Sequence, residues 1–535
     1  MPDWDKTKHY HQNSKHDHYR SAPSPGYMDW ENQPDPFRSY DGAEIIKLKK
    51  ISLNEGPLFH EALQPNKIPS LPLNFASLSQ LLFDSLAISA WKSFQGSKWA
   101  LRVNPSSGNL HPTEGYLICG PLEGINSLPS VSHYDPKSHA LEIRTTFSNQ
   151  TWNQMSEGEN IFFIGLSSIY WREAWKYGLR AFRYCHHDMG HALAAINVAC
   201  SALGWRTQLL DHLGSEDLET VLGFNIKNDE EVEIPNCLIA VTPQEGTQNI
   251  KNRDFVAGFS DLEWLGKPNI LSSDHMDWDG ITVVSQATQK PPTEAFPNAD
   301  FKRGTHLLQE NSFPIRKAIH QRRSAVAMDG KTRISRETFY QFMAVTIPEV
   351  CPLPFQTFPW DPQIHLGIFV HRVDDLPNGL YFLVRNKNHS GDLKSKLKKD
   401  FAWTKPEACP ENLDLFLLQE GDFRGIATSV SCGQDIAGKG CFSLGMISAF
   451  EKASLDYGPW MYPRLYWECG AIGQMLYLQA EVSGIRSTGI GCFFDDPVRG
   501  VFGINDLSYQ SLYHFTVGGP VEDTRLTTLP AYEDD

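Results

Sequence analysis

The sequence predicts two fused α+β domains of one fold within a single chain of 535 residues. A chain of this length exceeds what one hydrophobic core usually accommodates. Apolar residues at helical spacing alternate with short strand-like apolar runs, as in α+β proteins. When the chain is displaced by 280 positions, residues 161–224 fall on residues 441–504 without a gap. An ungapped internal match of this length indicates one fold present twice, so we interpret the chain as a fused dimer.

The internal match depends on residues whose backbone roles are hard to replace, because five of the matching pairs are glycines. The long helix also keeps a carboxylate, with Asp188 opposite Glu468. The other matching pairs are Phe162 with Phe442, Gly165 with Gly445, Ser168 with Ser448, Tyr177 with Tyr457, Gly178 with Gly458, Gly190 with Gly470, Gly204 with Gly484, Arg206 with Arg486 and Gly223 with Gly503.

The composition divides the chain into four segments. Residues 1–45 are rich in histidine and proline, so we predict a polar N-terminal arm without regular structure. Residues 46–284 are predicted to form the first domain, 285–314 a linker rich in Pro, Thr and Gln, and 315–535 the second domain. Within the first domain the apolar patterns predict a helix near residues 78–87, strands near 117–119, 161–164 and 238–241, and a long helix over 188–203 that ends at Gly204.

Composition also excludes some classes of partner. The net charge of −15 argues against nucleic acid, which requires clustered Lys and Arg. Residues 1–42 have no apolar core and the longest apolar run, 192–205, is too short to span a bilayer, so we expect neither signal peptide nor membrane association. Ten cysteines without a Cys-x-x-Cys pair suit reduced thiols in the cytoplasm. We expect a monomer that is itself a pseudo-dimer, with further oligomerisation left open.

A polar loop at residues 102–112 is the first candidate for a binding site. Prolines stand near both of its ends, Gly108 permits backbone conformations closed to other residues, and Ser106, Ser107 and Asn109 supply short hydrogen-bonding side chains. Such a loop can read the edge of a flat polar ligand, or it can be an ordinary surface turn. Apolar segments on both sides indicate that the loop lies between buried elements.

A basic motif near the start of the second domain is the second candidate. Arg322, Arg323 and Ser324 suit a phosphate, because guanidinium groups form paired hydrogen bonds with its oxygens and the hydroxyl adds a donor. An exposed basic pair is the alternative interpretation. Near the C-terminus, Arg525 is a candidate second phosphate ligand.

The motif Arg-x-x-Pro-Ser-Ser-Gly-Asn-Leu-His-Pro-Thr-Glu, residues 102–114, resembles the flavin-facing loop of the nitroreductase superfamily. The resemblance is to its azoline-dehydrogenase-like, SagB-type branch, and residues 14–16 and 29–34 are similar to the leader of such proteins. It implies a mixed, mainly antiparallel sheet flanked by helices in each domain. It also implies FMN between the two domains, with the phosphate held by one and the Pro-Ser-Ser loop contributed by the other.

The resemblance further implies which residues contact the flavin. The turn of Gly489, Ile490, Gly491 and Cys492 corresponds to the segment whose backbone faces flavin N5, where a donor stabilises the reduced ring. A tight helix-to-strand turn is the alternative for this segment. Gln434 corresponds to a polar residue on the pyrimidine edge. Val326 occupies a position that is usually basic, and Arg102 is the candidate that supplies this charge instead.

The two domains diverge in a complementary way. The first lacks an Arg-Arg-Ser motif and has residues 208–211 in place of the glycine turn. The second has residues 352–356 where the Pro-Ser-Ser loop would fall. These differences predict one complete FMN site and one eroded site. Because Arg180 belongs to the first domain, we expect its removal to leave FMN affinity unchanged.

The resemblance implies an oxidoreductase that transfers two electrons through flavin N5. SagB-type proteins oxidise azoline rings in peptides, whereas other branches reduce nitro groups, quinones or flavins with a nicotinamide. The substrate, a small molecule or a peptide, is left open, as is NAD(P)H as electron donor. No catalytic acid or base is apparent, and the only catalytic candidates are Gly491 and Cys492 in the N5 turn.

Two other functions stay open. His187 and His191 have the spacing of a zinc-binding helix with Asp188 between them, so a metal-dependent hydrolase is one alternative, although the matching segment of the second domain has no histidine. Helix packing through Gly190 and Gly470 is the favoured interpretation of this segment, and no metal is expected. The other alternative is a non-catalytic flavin-binding scaffold.

Overall fold

Two antiparallel sheets form where the chain carries its strand-like apolar runs. The computed structural model describes residues 3–50, 56–224, 231–243, 250–295 and 308–532. The elements of the first half are α1 (Asp3–Asn13), β1 (Tyr40–Asp41), β2 (Glu44–Lys47), α2 (Phe59–Ala62), α3 (Phe75–Ser85), β3 (Ile88–Phe94), β4 (Ser97–Arg102), β5 (Thr113–Cys119), β6 (Ser130–Asp135), β7 (Ala140–Thr146), α4 (Asn149–Ser156), β8 (Phe162–Ile169), α5 (Tyr170–Tyr177), α6 (Ala181–Ala202), β9 (Arg206–Leu209), α7 (Ser215–Leu222), β10 (Glu233–Thr242), β11 (Lys267–Pro268) and α8 (Asp279–Ala287).

The second half repeats this order from its central strand onward. Its elements are α9 (Ile315–Gln321), α10 (Arg336–Ala344), β12 (Ile364–Val370), β13 (Gly379–Leu383), α11 (Ser390–Lys396), β14 (Leu415–Glu420), α12 (Arg424–Val430), α13 (Ile436–Lys439), β15 (Phe442–Ser448), α14 (Phe450–Tyr457), α15 (Met461–Val482), β16 (Arg486–Ile490), α16 (Asp495–Phe502), β17 (Gln510–Gly518) and β18 (Thr527–Leu529).

The two main sheets have the same strand order. The first runs β2-β7-β6-β5-β8-β10-β9 and the second β14-β13-β12-β15-β17-β16, so β2 is the extra strand of the first. Neighbouring strands pair antiparallel throughout both sheets. Helices α5, α6 and α7 begin 280 positions before α14, α15 and α16, in agreement with the internal match. The predicted pair of mainly antiparallel α+β units is therefore present.

Each strand of the first sheet feeds two cores, because successive side chains point to opposite faces. Leu117 and Ile164 pack on the face that carries α6, in a core that continues into the second half. Ile118 and Phe163 belong to a separate core on the opposite face. All 22 residues of α6 are buried, polar ones included. The long helix therefore lies between the halves rather than on a surface.

The sequence-based element predictions hold with shifted ends. The long helix begins at Ala181, seven residues before the predicted start, because the polar residues His186 and His187 are buried along with its apolar ones. Helix α7 ends at Gly223 and α16 at the matching Gly503, both in the left-handed region with φ of 75° and 88°. Glycine adopts this conformation without steric cost, which explains why this pair matches.

The expectation of an N-terminal arm without regular structure is wrong. Residues Asp3–Asn13 form helix α1, whose first turn carries Asp3 and Asp5, favourable charges at a helix N-terminus. Tyr10 and His11 are buried, and His11 contacts Tyr462 and Gln510 of the second half at 3.1 Å each. Polar side chains such as His11, whose presence predicted a solvent-exposed arm, instead form hydrogen bonds in the interface between α1 and the second half.

The C-terminal strand packs against the first half, just as the N-terminal helix α1 packs against the second half. Strand β18 pairs antiparallel with β3, and β3 pairs with β4, which leads into the Pro-Ser-Ser loop. Each half therefore receives a terminal segment of the chain from the other side. This exchange fixes the position of the two halves around the region where the loop lies.

The predicted linker, residues 285–314, overlaps helix α8 at its start, and residues 296–307 lie outside the described part of the chain. Lys290 is buried, and its backbone exchanges hydrogen bonds with Ser215, whose N–H donates to the Lys290 carbonyl at 2.8 Å. This part of the segment is packed against the first half. Of the helices in the described ranges, none is sufficiently long and apolar to cross a membrane.

Candidate active site

A cavity of about 910 Å³ lies between the two halves and is lined by both. The structure brings together every predicted site residue except Arg525. These lining residues are Arg102, Ser106, Ser107, Asn109, Arg322, Arg323, Ser324, Gln434, Gly489, Ile490, Gly491 and Cys492.

The Pro-Ser-Ser loop is held at the cavity wall by helix α6. The Ser107 N–H donates to both carboxylate oxygens of Asp188, at 3.0 and 3.1 Å, and the Ser107 hydroxyl donates to Oδ1 at 3.0 Å. The Ser106 hydroxyl oxygen accepts from the backbone N–H of His111 at 2.8 Å. Gly108 has φ +57°, and a Cβ there would lie 2.5 Å from the Tyr177 hydroxyl. Glycine is therefore required for the loop to approach this tyrosine.

Asp188 is a lining residue that the sequence analysis named as a matched carboxylate and as the acid of the alternative zinc-binding segment, but not as a flavin-site residue. Burial raises the pKa of Asp188 to about 7, and hydrogen bonds from Ser106 and Ser107 act in the opposite direction. Nearby Glu173 is buried, with neither carboxylate oxygen bonded within the described part of the chain, and burial followed by the charge of Asp188 holds its pKa well above the ordinary value. Asp188 therefore changes protonation state near neutral pH.

A cluster of arginines forms another part of the wall. Arg322 is buried, donates to the backbone carbonyls of Val103 and Arg102 at 3.2 and 3.0 Å, and lies over the Tyr477 ring. The Ser324 hydroxyl lies 2.8 Å from the Tyr477 hydroxyl.

Arg323 donates to the carbonyl oxygens of His320 and Arg322 at 2.9 and 2.6 Å. Burial and then the positive charges of Arg322 and Arg486 lower its pKa to about 10. Within the described ranges no carboxylate lies in salt-bridge distance of Arg322 or Arg323, whereas Arg486 pairs with Glu481 at 2.6 Å. The cluster therefore presents an excess of positive charge to the cavity.

The structure does not place Arg525 in the cavity, although its neighbours Asp523 and Leu526 line it. Its guanidinium donates to both carboxylate oxygens of Asp523 at 2.8 Å, and its side chain is 73% exposed. The Arg525 guanidinium is therefore engaged by an acid two residues away. The choice of Arg525 as a candidate from the sequence did not take this neighbouring acid into account.

The glycine turn at the end of β16 packs edge-on against tyrosines. A Cβ at Gly489 would lie 1.9 Å from the Tyr513 hydroxyl, and one at Gly491 would lie 2.5 Å from the Tyr184 ring. The Gly489 N–H donates to the Tyr477 hydroxyl at 3.0 Å. Side chains at either glycine would displace the aromatic wall, so these residues allow the backbone itself to face the cavity.

Arg180 reaches this turn from the opposite half. Its guanidinium donates to the Gly491 carbonyl at 3.0 Å and to Asp495 at 3.0 Å, and it is buried. We expected removal of Arg180 to leave FMN affinity unchanged because Arg180 belongs to the first domain. Its contact with the Gly491 carbonyl shows that this membership does not separate it from the glycine turn, and the effect on FMN affinity stays a prediction.

Two other predicted residues are held by the protein itself. Arg102 is buried and donates to the carbonyls of Pro36 and Thr113 at 2.6 and 3.3 Å, while its Nε has no partner in the described part of the chain. Gln434 donates through Nε2 to the Cys492 carbonyl at 2.8 Å. Gln434 therefore ties its own loop to the glycine turn.

At the position related by the internal match, side chains fill the space. Asp211, which matches Gly491, forms a buried ion pair at 3.2 Å with Arg464, which matches Tyr184. Lys290 lies over the Trp460 ring beside them. Asn197, which matches Tyr477, hydrogen-bonds Thr357 of the second half. These residues are therefore bonded to one another, and the cavity that Arg464 and Lys290 line has a volume of about 50 Å³.

The histidines of α6 are committed to helix packing. His187 Nε2 donates to the Leu512 carbonyl at 3.0 Å, and the Trp467 indole N–H donates to His186 at 3.0 Å. His191 contacts Gln474 and Tyr513. In the ranges that the structure describes, no three His, Cys, Asp or Glu side chains converge as metal ligands. These contacts favour the packing interpretation of the segment.

No protein-family model matches the chain. It is 23% identical over 159 residues, 29% of this chain and 76% of the other, to a protein of Methanocaldococcus jannaschii provisionally named a nitroreductase. A crystal structure from Anabaena variabilis, provisionally named likewise, matches with a TM-score of 0.68 at 21% identity over 96% of this chain and 99% of that one. A chain of the E. coli microcin synthetase McbBCD complex matches with a TM-score of 0.27 at 19% identity over 37% and 75%. The Anabaena match spans both halves, so the predicted nitroreductase-like fold is confirmed.

Proposed function

We propose that this protein is an FMN-dependent oxidoreductase of the nitroreductase superfamily, with one FMN in the cavity between its halves. One observation carries the proposal. Arg322 and Arg323 face the same cavity as the Pro-Ser-Ser loop of the other half, and within the described residues neither forms a salt bridge, while nearby Glu481 is paired with Arg486. Keeping two such guanidiniums together costs free energy unless an anion binds there.

The donor set of the cavity fits a flavin phosphate. Arg322, Arg323 and Ser324 supply charged and hydroxyl donors for the phosphate oxygens. The loop residues Ser106, Ser107 and Asn109 offer hydrogen bonds to a polar ring edge. The glycine turn of residues 489–492 lets backbone approach a flat ring without a side chain between them. When bound, FMN supplies two-electron hydride exchange at N5.

Asp188 gives the chain a group that handles protons at this site. Its carboxylate fixes the loop by accepting from Ser107, and its raised pKa lets Oδ1 or Oδ2 hold or release a proton near neutral pH. The tyrosines at positions 177, 184, 477 and 513 line the same cavity and give its wall an aromatic surface.

The class of reaction can be proposed more specifically than the substrate. The motif at residues 102–114 favours a SagB-type dehydrogenase acting on azoline rings of a small molecule or peptide. Nitro or quinone reduction with NAD(P)H as electron donor is the alternative reaction that we propose for this site. A monomer that is itself a pseudo-dimer suffices for the reaction, because both halves of the site belong to one chain, and further oligomerisation is compatible with it.

The test is the absorbance spectrum of the purified protein, with released flavin quantified per chain. We expect close to one FMN per chain, followed by NAD(P)H oxidation in the presence of quinones or nitroaromatics, or azoline oxidation. Two FMN per chain would show that the second position also binds. Absence of flavin after incubation with FMN would overturn the proposal.

A further inference from the structure

Cys432 and Cys492 meet at the edge of the cavity, although 60 positions separate them in the sequence. Cys432 follows helix α12, and Cys492 lies between β16 and α16. Their sulfur atoms are 2.8 Å apart. A disulfide bond has a sulfur–sulfur length of about 2.04 Å, so the sulfurs need to approach by less than about 1 Å to bond.

Two hydrogen bonds hold the segments that carry these cysteines together. The Phe494 N–H donates to the Val430 carbonyl at 2.8 Å, and Gln434 donates to the Cys492 carbonyl at 2.8 Å. The bonds flank Cys432 at positions 430 and 434, and on the other segment they involve Cys492 itself and Phe494. The two segments that carry the sulfur atoms are therefore held side by side.

The two sulfurs are not equivalent. Cys492 is exposed and lines the cavity, whereas Cys432 is half-buried. The sulfur contact with Cys432 lowers the pKa of the Cys492 thiol, burial acts against it, and the charge of Arg180 lowers the pKa further. The pKa of Cys432 is raised by its contact with Cys492 and by burial. Cys492 is therefore the better nucleophile, since the thiolate is the attacking species.

The other eight cysteines lack these features. Seven are buried, namely Cys119, Cys185, Cys200, Cys237, Cys351, Cys441 and Cys469. Cys409 is half-buried, burial raises its pKa to about 11, and its sulfur lies near the backbone carbonyls of Pro410 and Leu413. Cys409 is thus a matched control, accessible in part but without a partner thiol.

We propose that Cys432 and Cys492 form a thiol–disulfide exchange site at the cavity edge that reacts with low-molecular-weight disulfides. The Cys492 thiolate attacks one sulfur of the disulfide, whose S–S bond breaks and releases one thiolate that takes a proton from water. Cys432 then loses its proton to water and attacks the Cys492 sulfur, releasing the second thiol. Two electrons pass from the cysteine pair to the small disulfide, which becomes two thiols.

Closing this bond would tie the Gln434 loop covalently to the glycine turn, and residues of both line the cavity. The oxidation state of the cysteine pair, and with it this link in the cavity wall, therefore follows the ratio of low-molecular-weight disulfides to thiols in solution. The inference does not depend on the proposed cofactor, because it uses only the protein's own sulfur atoms.

The experiment treats the native full-length protein with glutathione disulfide and then counts free thiols and maps peptides by mass. We expect the wild type to lose two of its ten thiols, retain no glutathione and yield a linked Cys432–Cys492 peptide. Cys432→Ser removes the resolving thiol, so it should retain one glutathione on Cys492. Cys492→Ser should retain none, and Cys409→Ser should behave as the wild type.

Wild-type protein that keeps all ten thiols, or that carries glutathione without the linked peptide, would overturn the proposal. Equal labelling of Cys432→Ser and Cys492→Ser would overturn the assigned roles of the two sulfurs. The peptide map of the wild type decides the matter even where a variant fails to fold.

Discussion

Gly190 and Gly470 face each other where the long helices of the two halves cross. A Cβ at Gly470 would lie 2.8 Å from the Gly190 Cα and 2.2 Å from the His187 carbonyl oxygen. Reciprocally, a Cβ at Gly190 would lie 2.1 Å from the Trp467 carbonyl oxygen. Because His187 and Trp467 are themselves 280 positions apart, the contact is the same on both sides. Helices α6 and α15 thus meet backbone to backbone at a pseudo-twofold axis.

Gly190→Ala should destabilise the protein by about 1–3 kcal/mol or more, since the added methyl group meets backbone that cannot rotate away. The intrinsic helix preference for alanine, about 1 kcal/mol, acts in the opposite direction and is smaller. Gly500→Ala in helix α16 is the matched control, because nothing lies within 4 Å of its Cβ position. Thermal unfolding midpoints measure the difference. Equal midpoints for the two variants would contradict the close crossing.

His133 should make stability fall between neutral and alkaline pH. It lies between Glu142 at 2.8 Å and Glu114 at 3.1 Å, and these hydrogen bonds, acting against burial, raise its pKa to about 9. The stabilisation is therefore complete below about pH 6.5 and is lost as pH rises through 9, amounting to at most roughly 3 kcal/mol. Denaturant unfolding of wild type and His133→Gln should converge across this window. Parallel curves would refute the assignment.

Asp188 should make the free energy of unfolding depend on pH over a more acidic range than His133 does. Its native pKa of about 7 exceeds the ordinary value of 3.8, so the native state binds the extra proton between these pH values. The free energy of unfolding should therefore fall as pH rises from about 4 to 7 and then level off, by at most roughly 4 kcal/mol. In Asp188→Asn this component should be absent. Denaturant unfolding curves of both proteins at about pH 4.5, 6 and 8 cover this pH range and measure the difference.

Local patterns predicted the repeated α+β fold, because helical spacing and helix-ending glycines such as Gly223 and Gly503 reflect backbone constraints within each segment. They also predicted the loop at Ser106 and the turn at Gly489. What they missed depends on distant partners. His11 is polar in sequence but finds its hydrogen bonds in the second half, and Arg180 serves a turn 311 positions away. Asp188 gained its perturbed pKa from burial that no spacing reveals.

Variants of Arg323 and Arg525 test, in one FMN-binding experiment, whether the phosphate lies in the cavity. Both were predicted phosphate ligands, but only Arg323 lines the cavity, whereas the Arg525 guanidinium is paired with Asp523 at the cavity rim. Arg323→Ala should weaken FMN binding by roughly 1.5–3 kcal/mol, the range for a charge-assisted hydrogen bond. Arg525→Ala should leave it unchanged, because the exposed ion pair contributes little. Flavin fluorescence titration of the apoproteins measures both affinities. Equal losses would mean that Arg525 leaves Asp523 to join the phosphate, and no loss in either would place the phosphate elsewhere.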